Sequence, residues 1–259
     1  MAVNAVFNGN SLQTSQILLS QIDGVADFPT LNVSIYPVDH ANRSAIPFES
    51  FPSRPIKLIG QLYAGGSISG LDSLIDTFKG YLLGIDKNLD VDYAGGTRRF
   101  VATLNKCAIA RPNWLGFANF TIEFVCSQPF GQNTATTTAL SAAGRTAANY
   151  TDSHTFVGTA PYQLPVTTIT FTALTGGTGA TVSFGNAGNG QGINITRTWL
   201  TGDVLVIDCT LKTVTVNGIQ VNFVGAFPEF PPGSQSMQYT DSLTTRTFTI
   251  SSVYFPGYL

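Results

Sequence analysis

Residues 213–223 read Thr213-Val214-Thr215-Val216-Asn217-Gly218-Ile219-Gln220-Val221-Asn222-Phe223. Strand-forming residues flank a central Asn-Gly pair. Asn-Gly suits a two-residue type I′ turn, because both central residues must take positive φ. That turn sets Val216 opposite Ile219 and Val214 opposite Val221 on one face. Thr215 then faces Gln220, and Thr213 faces Asn222, on the other. Side chains alternate along a strand, so a one-residue slip would invert the whole pattern. Here the turn and the apolar pattern demand the same register. The stretch is a β-hairpin with one face turned to a core.

The same chemistry extends in both directions. Residues 166–174, 180–184, 192–199, 204–209 and 244–254 are rich in Thr, Val and Ile, and glycine-rich turns separate them. Six or more strands at this spacing, without a helical period, predict a β-sandwich over 152–259. Upstream, the composition shifts after Pro129-Phe130-Gly131. Residues 133–151 are dominated by Thr, Ala, Ser and Asn. They read as a linker, or as a strand with little core of its own.

The first half, residues 1–132, differs. Ser67 to Gly84 reads SISGLDSLIDTFKGYLLG, with Leu71, Leu74, Ile75, Phe78 and Leu82 at helical spacing. The pattern predicts one amphipathic helix over 67–84, with Ser69 as N-cap, Asp72 in the first turn and Gly84 closing the end. Strands are predicted over 55–64, 88–93, 98–109 and 119–126, the middle two joined by Ala94-Gly95-Gly96-Thr97. Residues 36–55 carry Pro37, Pro47, Pro52 and Pro55 and are too long for a compact hairpin loop. Two readings stay open here: a surface loop, or an extended arm that grasps a neighbouring subunit.

A chain of 259 residues suits two domains of about 130 each. Charged residues make up 11 %, against about 25 % in ordinary globular domains. Thr, Ser, Asn, Gln and Gly must therefore build the solvent face. Such a surface suits broad permanent subunit contacts, where charge is costly to desolvate. The net charge of −2 offers no footprint for gripping phosphates, so specific nucleic-acid binding is not expected. No run of about 18 apolar residues exists, and no membrane insertion is expected. The start, Met1 to Phe7, has no basic n-region, and no signal peptide is expected. Cys107, Cys126 and Cys209 are odd in number and far apart, which fits neither a disulfide framework nor a zinc set. They read as reduced, buried thiols of a chain made in a cytoplasm.

Reactive groups are scarce. His40 and His154, the two histidines, stand apart in polar stretches, and no H-E-x-x-H, G-x-S-x-G or C-x-x-C motif occurs. Asp72, Asp76, Asp86, Asp90 and Asp92 gather in sequence around Lys79 and Lys87. A paired-carboxylate hydrolase is conceivable. Exposed helix positions and one strand face account for the same residues as a modest acidic surface. Such a surface could line a channel that nucleic acid passes without sticking. The glycine runs at 176–179 and 185–192 precede strands, and no Lys-Ser or Lys-Thr follows, so neither a phosphate loop nor a dinucleotide fold is indicated. Trp199, Tyr162 and Tyr239 could stack on a sugar in a lectin-like sandwich, although a lone Trp in a strand is more often core. No catalytic, cofactor-binding or metal-binding residue is assigned. No enzyme activity and no cofactor are expected.

The order of these pieces resembles the distal tail protein family of long-tailed bacteriophages, the siphophages. In the first half the resemblance rests on Ile56 to Leu62, the helix with Leu71, Leu74 and Ile75, Leu89 to Tyr93, Arg99 to Ala102, and Phe120 to Cys126 running into Gln128-Pro129-Phe130-Gly131. In the second half it rests on Gly202 to Asp208, Val214 to Gly218, Phe230-Pro231-Pro232-Gly233 and the closing Val253 to Leu259. It runs over nearly the whole chain.

The resemblance implies a mainly β chain in two parts. The first would be an N-terminal β-sandwich or split-barrel ring domain with one α-helix. The second would be a C-terminal galectin-like β-sandwich, whose last strand either stays there or returns to the first domain. The implied role is structural: a homohexameric ring, the baseplate hub that joins the tail tube protein to the tail-tip hub or tail-associated protein. Receptor-binding proteins would be further partners, and DNA would pass the bore. Residues 36–55 would be the clasping arm. The implied location is the virion's tail tip, after synthesis in the bacterial host cytoplasm. The sandwich lacks a large insertion found in some members, which puts an extra sugar-binding module in doubt. A carbohydrate-binding module for host-surface attachment is the alternative function.

Overall fold

The computed structural model describes residues 4–27, 32–37, 44–50, 52–93, 96–112 and 116–259. The chain is mainly β, with one α-helix among the described residues. It divides into two compact units, Met1–Thr134 with Leu259, and Ala135–Tyr258.

The first unit contains β1 (Ala5–Phe7), β2 (Asn10–Ser11), β3 (Ile17–Asp23), β4 (Asn32–Pro37), β5 (Ser44–Ser50), β6 (Arg54–Tyr63), α1 (Ile68–Tyr81), β7 (Lys87–Tyr93), β8 (Gly96–Ala110), β9 (Phe117–Cys126) and β10 (Gly131–Gln132). An antiparallel sheet runs in the order β2-β1-β7-β8-β9-β6-β3, and β10 adds to β8. Alternation builds its core. From β6, Ile56, Leu58 and Leu62 point inward, and from β9, Phe120, Ile122 and Phe124 do the same. Gly60 holds the fourth inward position of β6. A Cβ there would lie 2.3 Å from the Leu18 carbonyl oxygen and 2.6 Å from the Phe120 ring. Glycine is what lets β3 and that ring approach.

Helix α1 lays Leu71, Ile75 and Phe78 on this core, with the Phe78 and Phe120 rings 4.7 Å apart. It is shorter than predicted. Ser67, not Ser69, is the N-cap: its backbone is extended, and its Oγ accepts the Gly70 N–H at 3.1 Å. Ser69 already lies inside the helix, so Asp72 falls beyond the first turn. The helix ends at Leu82, and Gly84, with φ +131°, lies past the cap.

Strands β4 and β5 pair antiparallel with each other, Asn32 against Ser50 and Val33 against Glu49. Among the described residues they pair with no other strand. Of the segment 36–55, residues 38–43 and 51 lie outside the described residues, as do Ala94 and Gly95 of the glycine turn. Its far end is a correction: Arg54 and Pro55 are already in β6, opposite Cys126 and Val125.

The second unit contains β11 (Thr137–Arg145), β12 (Asn149–Phe156), β13 (Val166–Thr175), β14 (Ala180–Asn186), β15 (Gly192–Arg197), β16 (Val204–Asp208), β17 (Thr213–Val216), β18 (Ile219–Gln220), β19 (Val224–Gly225), β20 (Gly233–Asp241), β21 (Thr245–Tyr254) and β22 (Gly257–Tyr258). Two sheets run in the orders β11-β21-β13-β16-β17-β18 and β12-β20-β14-β15-β19. A single apolar cluster includes side chains from both, among them Phe171, Phe184, Trp199 and Phe248. The Phe156 and Phe230 rings stack at 4.8 Å.

Of the two readings of 133–151, the linker gives way to the strand: the segment holds β11 and the start of β12. Leu140 and Ala142 are buried, but register shifts at 138/140 and 142/145 break the simple alternation, and the remaining apolar residues are small. The decisive hairpin has the expected register, Val216 opposite Ile219 and Thr215 opposite Gln220, with φ +54° at Asn217 and +78° at Gly218. Its burial is a correction at one position. Val214 and Val216 are buried, whereas Ile219 is 71 % exposed, because β18 is the last strand of its sheet.

Two turns are locked together here. Asp203, nearly buried, accepts the Leu200 N–H at 2.9 Å and the Asn217 Nδ2 at 2.8 Å. Asn217 Oδ1 in turn accepts the Val204 N–H at 2.9 Å. At the other end, Gly257 is clamped. Its carbonyl accepts the N–H groups of Thr159 and Ala160, and its own N–H donates to Gln163 Oε1 at 2.7 Å.

Candidate functional site

The residues singled out in the sequence do not converge. His40 lies outside the described residues. His154 sits on β12 between rings, 4.9 Å from Phe156 and 5.9 Å from Tyr254. Burial holds its imidazole below the ordinary value, with Asp152 pulling the other way. It is a packing residue that favours the neutral form. Among the described residues, no group of three or more His, Cys, Asp or Glu could hold a metal ion.

Four of the five aspartates are engaged by a neighbouring side chain. Asp72 is bonded by Arg111, and Asp76 lies 3.8 Å from Lys79. Asp90 receives two parallel hydrogen bonds from Arg99, each 2.7 Å, and this contact raises the arginine's pKa. Asp92 accepts from Asn4 at 3.0 Å and Thr97 at 2.9 Å. Asp86 takes φ +51° in a turn, with its N–H on Thr103 Oγ1. Three of the five are neutralised by a neighbouring cation, so this surface is not a strong acidic field.

The aromatic candidates fare similarly. Trp199 is 1 % exposed, and its indole N–H donates to the Ala180 carbonyl at 3.0 Å. Tyr239 is equally buried, with its hydroxyl 2.5 Å from Asp241 Oδ2. Neither can stack on a sugar, and Tyr162 is half-buried. The glycine loops serve close packing: a Cβ at Gly177 would lie 2.1 Å from the Trp199 carbonyl oxygen. All three thiols are free, and burial pushes Cys126 and Cys209 each up to about 12, which makes them poor nucleophiles.

Sequence reasoning missed the buried polar groups. Asp241, whose side chain is fully buried, pairs with Arg246 at 2.8 Å and also accepts the Leu243 N–H. An Asp followed two residues later by a turn N–H is the signal that could have found it. In the first unit, Arg54 donates to the Asp27 carbonyl and lies over the Phe100 ring, and burial lowers its pKa. A cavity of about 420 Å³ opens between Thr14–Ile17 and the Gly70, Ser73, Leu74, Thr77 and Tyr81 side of α1. The Ser73 and Thr77 hydroxyls bond back to carbonyls four residues earlier, so the cavity wall presents no poised acid, base or nucleophile.

Among the described residues, the candidates named from the sequence do not assemble into one reaction centre. Residues 157–253 match the family described as siphovirus-type tail component, C-terminal domain. The fold is similar to the crystal structure of the Dit protein of phage SPP1, described as a paradigm of the hub adsorption apparatus in phages infecting Gram-positive hosts. That likeness has a TM-score of 0.70 at 12 % identity and covers 100 % of each chain. A chain of the phage P2 baseplate, in its activated conformation with calcium, has a TM-score of 0.49 at 12 % identity, covering 97 % of each chain. No curated protein matches the sequence. The class these residues define is that of a siphovirus-type tail component, over 157–253. Residues 157–253 thus carry the likeness to a tail component's C-terminal domain, and the likeness over the whole chain is one of fold.

Proposed function

We infer that the chain forms a homohexameric ring at the tip of a siphophage tail, where it joins the tail tube to the tip proteins and their receptor-binding parts. The observation that carries this reading is the fold likeness over the full length of both chains. Physical features support it. A ring needs one head-to-tail contact repeated by rotation, and a surface with 11 % charged residues costs little to desolvate. The hairpin of β4 and β5 pairs only with itself among the described residues. A lone two-stranded hairpin is marginal in water, which favours reading 36–55 as an arm that gains stability on a neighbour. With Trp199 and Tyr239 in the core, no observation favours the sugar-binding alternative. With Asp72, Asp76 and Asp90 paired to cations, an acid-lined bore is not proposed.

Light scattering of the purified chain tests the reading. Six copies of 27.5 kDa give a particle of about 165 kDa, and electron micrographs should show a ring with a central hole. Single 27.5 kDa chains at high concentration would overturn it.

A further inference from the structure

The outward face of the first unit's sheet carries a row of charges in alternating sign. Register places Asp23 of β3 opposite Lys57 of β6, Lys57 opposite Glu123 of β9, and Glu123 opposite Lys106 of β8. Neighbouring strands lie about 4.8 Å apart, so the sign changes at that interval across four strands. The inward neighbours Ile56, Leu58, Ile122 and Phe124 are buried, which fixes this row on the solvent side. Gln21 donates to Asp23 at 2.7 Å. Among the described residues, none of the four charges closes an ion pair within 4 Å. The next row, Gln21, Ile59, Thr121 and Ala108, is uncharged. The face thus has one charged line beside a neutral strip.

Read from β3 to β8, the signs run minus, plus, minus, plus. Read backwards, they run plus, minus, plus, minus. We propose that this face docks on the same face of a second copy, about a two-fold axis parallel to the strands and between β6 and β9. Rotation about that axis reverses the row. Asp23 then meets the partner's Lys106, and Lys57 meets the partner's Glu123, with both contacts repeated by symmetry. A row with an unbroken run of one sign could not oppose itself in this way. The contact is isologous, unlike the head-to-tail contact of a ring, so it adds a second kind of association to the proposed assembly.

The test uses the full chain carrying Thr121→Cys, in a Cys107→Ser background, treated with a short bifunctional maleimide. Opposed sheet faces lie about 10 Å apart, too far for a direct disulfide but within such a linker's reach. Thr121 stands next to the axis, so linked pairs of chains are expected. Adding Glu123→Lys sets Lys57 against a partner lysine, and the linked yield should fall about tenfold. Adding Lys57→Glu to that variant restores opposite signs across the axis and should restore the yield. Raising salt to about 1 M, where screening acts within about 3 Å, should also lower it. Circular dichroism checks that each variant is folded, and Lys57→Glu alone gives an independent like-charge variant. No linked pairs, or a yield indifferent to both charge reversals, would overturn the proposal. Six-chain particles without linkage at Thr121 would remove this inference and leave the ring. Linked pairs without six-chain particles would do the reverse.

Discussion

The two units solve one problem differently. Both are antiparallel β structures with dense apolar cores, yet they place charge in opposite ways. In the first unit, ion pairs such as Arg99–Asp90, Arg111–Asp72 and Lys79–Asp76 sit at the surface and hold no turn together. The second unit has four of the chain's 13 cations, Arg145, Arg197, Lys212 and Arg246. Its aspartates are structural. Asp203 ties two turns, Asp208 accepts the N–H groups of Thr210 and Leu211, and Asp241 holds the turn before β21. Charge is dispensable where water can replace the partner, and matters more where one carboxylate holds several groups of a turn at once.

Substitutions can break that contrast. The largest effect is expected for Asp241→Asn, which keeps the shape and leaves Arg246 buried without its counter-charge. Loss of one partner of a buried pair costs about 3–5 kcal/mol, and denaturant unfolding followed through the second unit's Trp199 should show it. Asn217→Ala comes next, at about 2–3 kcal/mol. It orphans Asp203 Oδ1 and the Val204 N–H, and it puts a Cβ-branch-free but non-glycine residue at positive φ without a side-chain bond. Asp90→Asn in the first unit should cost less than about 1 kcal/mol, because both partners keep access to solvent. A cost as large as that of Asp241→Asn would erase the distinction between the units.

The smallest effect concerns pH. Burial depresses the folded-state pKa of His154 below its ordinary 6.5. The unfolded chain then binds more protons than the folded chain as pH falls through and below 6.5, so this residue makes stability decline on acidification. His154→Gln should flatten the stability of the second unit between about pH 7 and 5. An unchanged slope would show that the ring between Phe156 and Tyr254 titrates as if it were in water.

Where residues signal through local chemistry, the sequence could be read directly. Asn217-Gly218 demanded its turn, and the 3.6-residue stripe of Leu71, Ile75, Phe78 and Leu82 demanded its helix. The register of the first and the buried face of the second followed. What escaped depends on contacts distant in the chain. β11 hides behind two register shifts and small side chains. Ser67 wins the cap over Ser69 through backbone conformation, not residue type. Ile219 is exposed because nothing in its sequence announces that its strand is the last one. The roles of Asp203 and Asp241 were not legible, because each is defined by the partner that the fold delivers to it.

The clamp on Gly257 has a mechanical consequence. Movement of the chain at Gly257 meets the Thr159, Ala160 and Gln163 hydrogen bonds before it can propagate back to β21. Gly158 reinforces the fit, since a Cβ there would lie 2.4 Å from the Gly257 carbonyl oxygen. Strain at Gly257 is thus shared with the loop that begins at residue 157, and the end of the long strand is held in place by residues far from it in the sequence.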